Sequence, residues 1–113
     1  MANAWSGEVA LSLDGVQHIC KLTLGALAEL EAALHTGTLV ELVQRFENGS
    51  FSTRDVVALL VAGLRGGGWQ GSAADLLAVE IDGGPIEAAR VAAELLARAF
   101  ALPELAQPQM GAG

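Results

Sequence analysis

Residues 65–72 read RGGGWQGS, and two folds compete for them. Read as Gly66-x-Gly68-x-x-Gly71, the stretch has the spacing of a dinucleotide-binding turn, which would make the chain an α/β nucleotide binder. Such a turn needs a strand running straight into the glycines, so that the pyrophosphate meets a helix N-terminus at the edge of a parallel sheet. The preceding residues, FSTRDVVALLVAGL (51–64), read as a helix instead. Ser52 with Asp55 forms a capping-box pattern, Phe51 and Val56 are placed for a hydrophobic staple, and the run VVALLVAGL follows. The phosphate-loop alternative lacks its lysine, because Ser72 follows Gly71 directly and Arg65 lies on the wrong side. The glycines are therefore read as a corner: Gly66 to Gly68 end the helix through left-handed backbone angles, and Trp69 folds back over the end of a bundle. No cofactor is expected.

Upstream, EVALSLDGVQHICKL (8–22) places Asp14-Gly15 between two alternating runs, the signal of a two-residue hairpin. That turn pairs Leu13 with Val16, Leu11 with His18, Val9 with Cys20 and Glu8 with Lys21, leaving one face mostly apolar. Thr23 then opens a helix on which Leu24, Leu27, Leu30 and Leu34 share a face. Thr38 with Glu41 caps a second helix that Asn48-Gly49 stops. The helix after Ser52 is apolar nearly all round, which makes it the central one. Ser72 and Asp75 start a fourth, AADLLAVEI, ended by Asp82-Gly83-Gly84. Pro85 is suited to the first position of a fifth, running to about Ala101. On this last helix Glu87, Arg90, Glu94 and Arg98 form a ladder of alternating charge on a solvated face, while Ile86, Ala89, Ala93, Leu96 and Phe100 are expected to pack inward. The expectation is one α+β, mostly α domain over residues 1–102, an N-terminal β-hairpin (8–22) followed by a bundle of about five helices (23–101). Residues 103–113, with two prolines and few large apolar side chains, read as a disordered tail.

Composition narrows the function. With 6 Lys+Arg against 13 Asp+Glu the formal charge is -7, which repels phosphate backbones and argues against direct nucleic-acid binding. The start MANAWSGE does not read as a signal peptide, and no apolar run approaches the ~20 residues of a membrane span, so a soluble, cytoplasmic protein is expected. Cys20 is the single cysteine, which excludes an internal disulfide. His18 and Cys20 lie two apart on one strand face, with His35 remote, but no second cysteine or carboxylate cluster completes a metal set, and none is expected. Ser52 and Ser72 read as caps rather than nucleophiles, so no catalytic residue is assigned and the chain is read as non-enzymatic. Aromatic side chains are few, and Trp5 and Trp69 are the candidate partner-binding residues, each weighed against a place in the core.

The order GEVALSLDG, LTLGALAELEAAL, LVELVQRFENGSFSTRDV, GLRGGGW and GGPIEAARVAAELLARAFALPE resembles a family of small gene-transfer-agent tail proteins related to phage tail assembly chaperones, over residues 4–104. The resemblance implies a role in building the tail of a phage-like particle, by binding the helical tape measure protein and helping tail tube subunits polymerise around it. It implies no catalytic residues. Tail tube subunits assemble rings from an extended β-sandwich, whereas this chain offers one hairpin and about five helices. The expectation is an assembly chaperone, with a permanent structural tail component as the alternative. A homo-oligomer is left open. Ala-rich helix faces such as Ala88, Ala89, Ala92 and Ala93 are read as a groove that admits a partner helix.

Overall fold

A computed structural model of the chain describes residues 7–34 and 37–100. Trp5, His35 and the segment 103–113, about which the sequence raised expectations, lie outside the described residues. Two strands, β1 (Val9–Leu13) and β2 (Val16–Cys20), are followed by five helices: α1 (Leu24–Ala33), α2 (Leu39–Asn48), α3 (Thr53–Gly66), α4 (Ala73–Ala78) and α5 (Gly84–Phe100). The fold is α+β and mostly helical.

The hairpin has the register that its turn dictates, with Val9 opposite Cys20, Leu11 opposite His18 and Leu13 opposite Val16. Asp14 (φ 50°) and Gly15 (φ 82°) both take positive φ, the two-residue geometry whose twist matches that of the strands. Val9, Leu11, Leu13 and Cys20 are buried, and Val16 at the tip is exposed. Thr23, Thr38, Ser52 and Ser72 each cap a helix by accepting an amide hydrogen bond from the residue three positions on. Asp55 reciprocates at Ser52 and also takes both Nε and Nη2 of Arg45, at 3.0 and 2.9 Å. This fork ties α2 to the start of α3, and Phe46 stacks on Phe51 beside it, with centroids 4.3 Å apart. The central position of α3 follows from its apolar girth: it packs against α1, α4, α5 and β2 and buries Val56, Leu59, Leu60, Ala62, Gly63 and Leu64.

Four sequence expectations need correction. Of Gly66, Gly67 and Gly68, only Gly68 has a positive φ, 108°. A methyl group on Gly66 would strike the Lys21 carbonyl and one on Gly67 the Ile19 carbonyl, so those two glycines exist to let α3 lie against the backbone of β2. Next, α4 stops at Ala78. Val79–Asp82 leaves the helix and runs beside β1: Asp14 N–H donates to Glu80 O (2.8 Å) and Asp82 N–H to Ser12 O (3.0 Å), with a bridge between Leu13 and Ile81. Finally, the inward face of α5 is Ala88, Val91, Ala92, Leu95 and Leu96. Ile86 (83% exposed), Ala93 and Phe100 (40% exposed) face outward instead. Leu24 on α1 is likewise 83% exposed, while Ala26 and Leu30 are buried.

Candidate partner-binding surfaces

The glycine corner is built as a helix C-terminus. Trp69 N–H donates to Leu64 O and Gly68 N–H to Arg65 O, at 2.9 and 3.0 Å, the paired bonds of a Schellman stop. Gly67 N–H is also taken, by Gly63 O and Leu64 O. The amides that a phosphate would need are therefore spent on α3's last carbonyls, at the negative end of its dipole. Past the corner, the Ser72 amide is already bonded to the Asp75 carboxylate at 2.8 Å. The glycines thus form a helix stop, as the capped helix before them dictates. Arg65 braces it, donating to Glu29 on α1 (2.9 Å) and to Gly71 O (3.2 Å).

Trp69 is half-buried. Its ring lies over Gly71, where no side chain would fit, and it packs against the core. One edge borders a shallow hollow of ≈ 500 Å³ with Thr23, Gly25, Glu29 and Gln70, a lining with little apolar surface. Trp69 thus closes the bundle end and presents a rim, whereas Trp5 lies outside the described residues.

A larger and more apolar surface is found elsewhere. A groove of ≈ 710 Å³ runs between α3, α4 and the start of α5, floored by Val56, Leu60, Leu76, Ile81 and Ala88 and flanked by Phe51 and Leu77. Leu77 is 69% exposed. Exposure of a leucine beside a groove of this kind leaves apolar surface available to a partner. Glu80 lines it, Asp82 is exposed close by in sequence, and no lysine or arginine lines it among the described residues. Ala88, buried at its floor, and half-buried Ala89 line this groove, whereas Ala92 is wholly buried and Ala93 is exposed. Two of the four alanines that the sequence singled out thus contribute to the channel, and the other two do not. The groove was illegible in the sequence because it depends on α4 ending early and on the 79–82 segment swinging to β1.

The reactive side chains are quiet. Cys20 is fully buried, and burial pushes its thiol up to about 12, so no nucleophilic thiolate forms near neutral pH. Among the described residues no group of three or more His, Cys, Asp or Glu could hold a metal ion, and no helix is long and apolar enough to cross a membrane.

Residues 6–102 match the model of a family described as phage tail tube protein, GTA-gp10. The chain belongs to this family. No curated protein and no solved structure matches it. Membership makes this a tail-related protein of a phage or gene transfer agent.

Proposed function

We propose that the chain is a non-enzymatic tail assembly chaperone, acting in the cytoplasm of the producing cell, that holds an amphipathic helix of the tape measure protein, or a tail tube subunit, in the α3/α4/α5 groove. The observation that carries this reading is the state of the small sheet. Subunits that join into rings through sheets need long free edges. Here each strand has five residues, the outer edge of β1 is taken at its turn end, Ser12 to Asp14, by residues 80–82, and α3 lies against the end of β2, where Gly63 O accepts Lys21 N–H at 2.9 Å. What the fold offers instead is an apolar groove of helical proportions. The family description favours a second reading, a permanent tube component.

Quantitative mass spectrometry of purified particles separates the two. A chaperone is abundant in producing cells and absent or strongly substoichiometric in mature particles; a copy number equal to that of tube rings would establish the structural reading. In capture experiments with tape measure and tube proteins, Leu77→Glu should weaken binding at least about tenfold without lowering thermal stability, because Leu77 is exposed in the free protein. Trp5 and Trp69 are proposed as secondary contacts. Weaker capture by Trp69→Ala at unchanged melting temperature would mark Trp69 as a contact, and joint loss of both would mark it as packing.

A further inference from the structure

Of the six cationic side chains, four are committed away from the α3/α4/α5 groove: Arg45 to Asp55, Arg65 to Glu29, Arg90 to Glu87 and Glu94, and Arg98 to Glu94. Arg54 borders the hollows beside α1 instead, and Lys21 follows β2 at the end of the hairpin away from its turn. The carboxylates beside the groove are left with their charge. Glu80 is the one charged residue among the described residues that line it. It is exposed, as are Asp82, two residues on, and Asp14, whose Oδ1 accepts the Glu80 amide at 3.0 Å. Among the described residues none of these three side chains makes an ion pair. Given that this groove holds a partner helix, as proposed above, we infer that the helix is basic: its apolar stripe lies on Leu60, Leu76 and Ile81, and a flank of lysine or arginine faces Glu80 and Asp82.

The surface calls for both halves of this chemistry. The floor is apolar, so side chains at helical spacings of three and four bury area on it. A carboxylate at the edge of such a floor loses water when a partner covers it, and an opposite charge on the partner offsets that loss. Lysine and arginine suit the place, because their stems lie along apolar surface while the charged head reaches the rim. The two carboxylates are also free of structural duty. Residues 79–82 are held to the hairpin through the Glu80 carbonyl and the Glu80 and Asp82 amides, and neither the Glu80 nor the Asp82 side chain takes part.

The same charge disfavours the occupants that this chain could supply. Residues 101–113 include Glu104 and no lysine or arginine. A second copy brings a formal charge of -7, with four of its arginines already paired. Either would set like charge against Glu80 and Asp82.

The test uses the full chain and overlapping synthetic peptides that cover the tape measure and tail tube proteins of the same particle. The peptides that bind should carry lysine or arginine beside an apolar stripe, and their affinity should fall about tenfold between low salt and about 0.5 M salt. Glu80→Lys with Asp82→Lys should weaken the tightest of them at least about tenfold with an unchanged circular dichroism spectrum, and the milder Glu80→Gln with Asp82→Asn about threefold. Changing the peptide's basic residues to glutamate should restore binding to the charge-reversed variant. Leu77→Gln, which removes apolar area without adding charge, keeps the two levels apart. If it weakens binding while charge reversal and salt do not, the groove still holds a partner helix and the basic character is overturned. If it has no effect, or no peptide binds, the groove reading falls and the basic partner with it. Tighter peptide binding by Leu105→Asp would identify residues 101–113 as the occupant, and a concentration-dependent doubling of mass that Leu77→Gln abolishes would identify a second copy; either result overturns the inference.

Discussion

Three adjacent glycines do two different jobs. Gly68 supplies a left-handed turn in open space, while Gly66 and Gly67 have ordinary backbone angles and no room for a side chain. The two requirements differ in cost. Gly68→Ala should lower stability by about 1 kcal/mol, the cost of a left-handed alanine. Gly67→Ala must push α3 off the Ile19 carbonyl and should cost about 2–3 kcal/mol or more, in the range of core overpacking. Urea denaturation of the two variants checks the ranking, and equal losses would show that the close approach of α3 to β2 is not needed. The sequence signalled a helix stop here but not the contact, because the partner is backbone 45 or more residues away in the chain, and backbone atoms leave no trace in residue type.

At the level of elements, capping boxes made the helix starts legible, since each rests on two side chains three residues apart. Asp55 shows how a local signal acquires a tertiary role. Burial pushes its carboxyl up, but hydrogen bonds and charge from Arg45, with the amide and hydroxyl of Ser52, outweigh that and hold it below the usual carboxylate range. A depressed folded-state value stabilises the fold above the unfolded value of about 3.9, and the contribution disappears as the pH falls through the folded value. Asp55→Asn should therefore cost about 2 kcal/mol at pH 7, with the difference from wild type closing below about pH 4. Thermal melts of both proteins between pH 3 and 7 test this; a constant difference would mean that charge is not the cause. Helix ends set by tertiary contact were less legible. The pattern AADLLAVEI continues as a helix on paper, yet its last residues bond to β1 instead, where β-branched Val79 and Ile81 suit an extended backbone.

Across the whole molecule, that displaced segment joins the hairpin tip to the α4–α5 connection. Asp14 holds it twice, by its own amide to Glu80 O and by Oδ1, which accepts Glu80 N–H at 3.0 Å. Asp14→Ala should destabilise the domain by about 1–2 kcal/mol and speed amide exchange at Glu80 and Asp82 before the core opens. Uniform protection would show that the strap is held by Ile81 alone. The strap also shapes the α3/α4/α5 groove, so the same variant should weaken capture of tail proteins. The sequence by itself determined the hairpin and its register, the four capped helix starts, the central place of α3 and the charge ladder of α5, because each follows from side chains close together in the chain. Tertiary structure alone decided which face of α5 turns inward, where α4 ends, and that a groove opens between them. Helix α5 is apolar on two sides, so its periodicity allows either choice, and the outcome depends on what the hairpin and α3 place against it.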